Sequence, residues 1–148
     1  MAAIQTRRTS ASRIGEVDFS NLEFGKHLSD HMLIAVYDHG KWGTPEIVPY
    51  GDLSFSPAML ALHYGQTVFE GMKAFRMNNG DITVFRPERH HVRFDRSLDR
   101  MCMPVVPKEI FLDGLNELVR HDSCSSRYLR RSPRSSLVNS RSASRSGR

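Results

Sequence analysis

Cysteine, tryptophan and lysine are scarce in these 148 residues, which hold two, one and four of them respectively. The cysteines, Cys102 and Cys124, form neither a disulfide framework nor a metal-type pair, which argues against a disulfide-stapled secreted scaffold and fits a reducing cytoplasm. No apolar run nears the length of a membrane span and no apolar signal-peptide core is present, so neither membrane insertion nor secretion is expected. A Ser/His/Asp triad, a P-loop and a dinucleotide fingerprint are all missing, which removes the function classes that depend on them. Acidic residues stop at Asp122. Seven of the 21 basic residues and none of the 16 acidic ones lie in Ser123 to Arg148, so this tail carries +7 and the remainder −2. The sequence pI near 9.6 therefore belongs to the tail, and nucleic-acid binding by the body gains no support from it.

What is present suits one α+β core: 39% of the residues are hydrophobic and 9% aromatic. Residues 1–21 read as a flexible leader. Met1 to Arg13 has three Arg and no acid, a faint likeness to a mitochondrial transit segment, but short polar termini are usually loose. His31 to Tyr37 is apolar enough for a strand, and Asp38 to Gly43 turns the chain. Pro45 to Tyr50 forms a second, proline-fenced strand, expected at a sheet edge because proline donates no hydrogen bond. Ser56 is a candidate N-cap with Pro57 as the first residue of a short helix, and Gly71 is placed where positive φ or close backbone approach is needed. Met72–Met77 and Ile82–Phe85 flank Asn78-Asn79-Gly80-Asp81, a strong hairpin signal. Pro87-Glu88 opens an amphipathic helix with Phe94, Leu98, Met101 and Cys102 on its core side, closed by Pro104 and Pro107. A second amphipathic helix runs from about Lys108 to Arg120, weakened slightly by Gly114.

The chain is organised around Leu62-His63-Tyr64-Gly65-Gln66-Thr67-Val68-Phe69-Glu70-Gly71-Met72-Lys73-Ala74-Phe75. On spacing alone, Tyr64 and Phe69 are core aromatics of a buried corner, or rings presented to one pocket. That stretch is followed by Val84-Phe85-Arg86-Pro87, Arg93, Ser97 and Met101-Cys102-Met103-Pro104, and preceded by Phe24-Gly25-Lys26-His27 and Asp30-His31-Met32-Leu33. The whole ordered series, over about residues 22–122, resembles the branched-chain amino acid aminotransferases, fold-type-IV enzymes that use pyridoxal 5'-phosphate.

The resemblance implies a small N-terminal α+β domain, antiparallel strands with two amphipathic helices, over residues 22–122. It also implies homodimers that exchange an amino group between leucine, isoleucine or valine and 2-oxoglutarate; cytoplasmic amino-acid biosynthesis is the expected setting, with a degradative role and a mitochondrial compartment left open. Arg93 matches the family's phosphate-binding arginine, a role suited to a planar fork of donors. Phe24, Tyr64 and Phe69 match aromatics that wall the branched side-chain pocket, where apolar burial is favourable. The lysine that forms the family's Schiff base lies later than any of Lys26, Lys41, Lys73 and Lys108, so no catalytic residue is assigned. The second, lysine-bearing domain is expected to be missing, which leaves a truncated, inactive fragment with an uncovered apolar face.

No metal site is assigned, since adjacent His90 and His91 point apart on a helix and no fourth ligand is implied; with Asp95 they are expected to face water, as polar helix residues usually do. Residues 123–148, with ten Ser and seven Arg, are expected to be disordered. They read as an interaction tail, as a terminus without function, or as out-of-frame translation, the last being favoured by their biased composition. The alternative function is a non-enzymatic protein that binds RNA or other anions through this tail.

Overall fold

The computed structural model describes residues 3–18, 20–123 and 130–131. It is an α+β arrangement whose strands fall into three small sheets. The first joins β1 (Gln5–Thr6), β5 (Glu46–Pro49) and β2 (His31–Ile34) in that order. β2 and β5 run antiparallel, with Met32 opposite Val48 and Leu33 opposite Ile47, while β1 lies parallel to β5. The expected strand from His31 to Tyr37 breaks at Ala35; Tyr37–Asp38 (β3) instead pairs with Lys41–Trp42 (β4) in a tight hairpin.

Two expectations about this sheet are corrected. The 45–50 strand is central, because proline removes a donor only at its own nitrogen. Ile47 and Val48, buried on opposite faces, keep their amides, and the Arg7 amide donates to the Ile47 carbonyl at 2.8 Å. Within the leader, Gln5–Thr6 pairs along the edge that β5 offers. Asp30 then holds it further along, accepting from the Ser12 hydroxyl at 2.5 Å and the Arg13 amide at 2.9 Å. Strand pairing is also not wholly antiparallel, since both β1 and β8 (Arg130–Arg131) lie parallel to their neighbours.

A short helix, α1 (Leu60–Tyr64), starts later than Ser56 suggests, because the Ser56 hydroxyl is used in a local turn with the Ala58 amide. The left-handed glycine of this corner is Gly65, φ +62°, which closes α1. Gly71 has no positive φ; a side chain there would press on the Phe69 ring at 3.4 Å. The hairpin of β6 (Ala74–Arg76) and β7 (Ile82–Val84) forms where Asn79-Gly80 predicts it, with Gly80 at φ +91°. It is shorter than expected at both ends.

Helices α2 (Pro87–Arg100) and α3 (Lys108–Ser123) complete the core. They meet through Phe111, whose ring centroid lies 5.2 Å from that of His91 and 5.6 Å from that of Phe94. Leu98 and Ile110 are buried there, but Met101 and Cys102 are exposed, because α2 ends at Arg100 and Cys102 takes a left-handed backbone. Gly114 is a packing position and not merely a weak point in the helix. It faces β2 so closely that an added Cβ would lie 2.4 Å from Leu33 Cδ2.

The absence of regular structure expected from Ser123 onward fails at Ser123, which ends α3, and at Arg130–Arg131, where the open edge of β6 supplies backbone partners. The rest of that segment lies outside the described residues. No helix among the described residues is long and apolar enough to cross a membrane.

Candidate functional site

An acid embedded in an aromatic stretch needs partners if its carboxylate is buried. Glu70, between Phe69 and Gly71, is such a residue: its side chain is 5% exposed. Its partners come from the first half of α2, where His90 and Arg93 are three residues apart and so share a face. Arg93 Nε donates to Glu70 Oε2 at 2.7 Å, and Arg93 Nη2 donates to Oε1. His90 Nδ1 lies 2.6 Å from Oε1 of the same carboxylate, which accepts only, so this nitrogen carries the proton. The Arg93 hydrogen bonds hold the Glu70 carboxyl down at about 2 against the opposing effect of burial, with help from His90. In return Glu70 pushes the Arg93 guanidinium above its usual value.

Arg93 itself is 65% exposed, and among the described residues its Nη1 donates to nothing. The arrangement is thus a guanidinium with one edge clamped by a carboxylate and the opposite edge open to water. Such an edge can donate to a phosphate, carboxylate or sulfate oxygen.

Beside this cluster is an open cavity of about 610 Å³ lined by Met72, Lys73, Phe75, Val84, Phe85, Arg86 and His90 among others. Its floor is apolar and its charged lining groups are cationic. Arg86 takes the left-handed backbone, φ 48°, as the residue before α2, and its guanidinium lies over the Phe85 ring, 5.1 Å from the centroid.

The expected pocket aromatics are on the surface. Tyr64 is 81% and Phe69 86% exposed, and Phe24 fully so. None of the three lines the cavity above. The corner that they mark is therefore not the buried core suggested by their spacing, but an apolar surface with Leu62, Phe55 and Phe85 also exposed. The histidines are corrected as well. His91 is buried, with Nε2 2.9 Å from the Val106 carbonyl and Nδ1 3.4 Å from Asp95, and His90 is turned inward on Glu70. No group of three metal-ligating side chains occurs among the described residues.

Sequence reasoning picked out Arg93 but missed Glu70 and His90. The usable signal was the lone acid within Val68-Phe69-Glu70-Gly71-Met72, which has to be satisfied by a cation.

The depressed carboxyls set an acid limit on the fold. Burial raises the Asp30 carboxyl, but the Ser12 hydroxyl, the Arg13 amide and the Arg13 charge together hold it below its ordinary value. Asp30 and Glu70 each bind protons more weakly when folded, so each contributes stability above the ordinary carboxylate range that is lost as pH falls through it. Burial, with the Arg8 and Arg120 charges, holds the His121 imidazole below its ordinary value, so urea midpoints are expected to fall gently below about pH 6.5 and more steeply below about pH 4.5. In Glu70→Gln that acid loss should be smaller; an equally steep loss would show that the Glu70 contacts do not form.

No protein-family model matches the chain. Curated relatives do. It is 43% identical over 106 residues to branched-chain-amino-acid aminotransferase 2 of Bacillus subtilis, an overlap of 71% of this chain and 29% of that protein. The cytosolic branched-chain-amino-acid aminotransferase of Saccharomyces cerevisiae is 42% identical over 106 residues, again 71% of this chain and 28% of the relative. That of Mycolicibacterium smegmatis is 39% identical over 111 residues, 74% and 30%. The chain spans less than a third of the length of these relatives. Over most of its own length, then, the chain is a partial match to the branched-chain-amino-acid aminotransferases.

Proposed function

We propose that residues 22–122 are the small N-terminal domain of a fold-type-IV branched-chain amino acid aminotransferase, and that they serve transamination of leucine, isoleucine or valine with 2-oxoglutarate. The similarity of these residues to such enzymes carries this reading. In it the chain works in the cytoplasm, within a homodimer of the complete enzyme.

The donor set fits pyridoxal 5'-phosphate on chemical grounds: Arg93 offers a free guanidinium edge to a phosphate dianion, and the neighbouring cavity has an apolar floor. When bound, that cofactor supplies an electron sink for the substrate's α-carbon. Arg93 anchors the phosphate. Phe24, Tyr64 and Phe69 wall the aliphatic side chain of the substrate once their exposed rings are covered by the lysine-bearing domain, which would exclude water from the reacting atoms.

In this reading none of Lys26, Lys41, Lys73 and Lys108 serves as the lysine that this chemistry needs. Borohydride treatment of the chain with pyridoxal 5'-phosphate, followed by peptide mapping, tests this. Scattered substoichiometric labelling of several lysines is expected. A stoichiometric adduct at one lysine, lost in Arg93→Gln, would mean that the chain holds a complete covalent site.

A further inference from the structure

We propose that Glu70 is the positioning residue of the anion site: it clamps one edge of Arg93 so that the other edge is presented, already ordered, to an incoming phosphate. The inference rests on the reading of Arg93 as the phosphate anchor and goes beyond it by naming what fixes that anchor.

A free arginine on a helix surface samples many rotamers, and binding an anion to it requires that this freedom be lost. Here it is already lost. Glu70 takes Nε and Nη2 with two oxygens of one carboxylate, which fixes the guanidinium plane, and leaves Nη1 without a partner among the described residues. The carboxylate is itself held still: it is nearly buried, His90 Nδ1 donates to it from the same helix face, and it stays ionised across the working pH range. A carboxylate placed to compete with an anion would cover the outward edge; this one lies on the buried side.

Two effects oppose each other when the charge of Glu70 is removed. The anion loses a repulsive neighbour, and Arg93 loses its orientation. The first is weakened by water and salt, because Arg93 is 65% exposed. The second freezes a long flexible side chain at the moment of binding, so orientation dominates and affinity falls.

The test uses the whole chain, its Glu70→Gln variant and inorganic phosphate at physiological ionic strength, read by the arginine side-chain resonances in NMR. In the unsubstituted chain the Arg93 Nε–H signal is expected to exchange slowly with water, and phosphate should shift it. In Glu70→Gln that slow exchange should disappear and phosphate affinity should drop about fivefold, while the backbone spectrum of α2 stays the same. Loss of the α2 spectrum would mean a folding defect; Glu70→Asp, which keeps the charge but shortens its reach, then serves as the second variant and should weaken phosphate in the same way. Phosphate affinity unchanged in a folded Glu70 variant, with Arg93 still shifted by phosphate, overturns the role of Glu70 and leaves Arg93 as the anchor. Phosphate that binds without shifting Arg93, or does not bind, overturns both.

Discussion

Ile47→Ala is expected to lower the unfolding free energy by about 3–5 kcal/mol, the upper part of the range for removing a buried aliphatic side chain. Ile47 is the one large side chain among the described residues with no exposure at all, and it sits on the central strand β5. Its neighbours are held from several directions: Leu33 pairs opposite on β2, the Arg7 amide binds its carbonyl, and Gly114 of α3 meets Leu33 too closely for the helix to slide in and fill a void. Urea unfolding measures the loss. A small chain has little reserve, so the variant should be largely unfolded near body temperature. A midpoint within experimental error of the parent would show that β5 is not the centre of the core.

Arg93→Gln is expected to weaken pyridoxal 5'-phosphate by about tenfold or more, the worth of one to two charge-assisted hydrogen bonds at a half-open site. Stability at neutral pH should fall modestly, because the nearly buried Glu70 carboxylate loses its main partner and keeps only His90. Equilibrium binding by absorbance, beside a urea curve of the same variant, separates the two. Equal affinity in parent and variant would remove Arg93 from the cofactor's phosphate, and a large loss of stability would make it a structural residue.

How much of this was legible in the sequence follows from how local each signal is. Asn79-Gly80 fixes its own turn, and Pro87-Glu88 its own helix start, so the β6–β7 hairpin and α2 stand where they were expected. β1 is two residues long and owes its existence to the edge of β5, some forty residues away, so nothing within Gln5-Thr6 announces it. The prolines at 45 and 49 mislead for a similar reason: they limit donors at two nitrogens, whereas strand position is decided by Ile47 and Val48 packing on both faces.

Gly114 and Gly71 show the same division. The sequence marks glycine, but whether it serves a turn, as Gly65 does, or a close approach, as Gly114 does, depends on what packs against it. At the candidate site Arg93 was recognised only through the family motif, since five arginines crowd residues 86–100. Its clamp by Glu70 joins residues 23 apart, and His90 was expected in water because its partner lay on another element.

The central claim is that this chain reads the phosphate of the cofactor through Arg93. Titrating the unsubstituted chain with pyridoxal 5'-phosphate and with pyridoxal, which differ only by that phosphate, tests it most directly. Tighter binding of the phosphorylated form by about tenfold, diminishing with added salt, is the predicted result. Equal affinity for the two compounds would contradict the account.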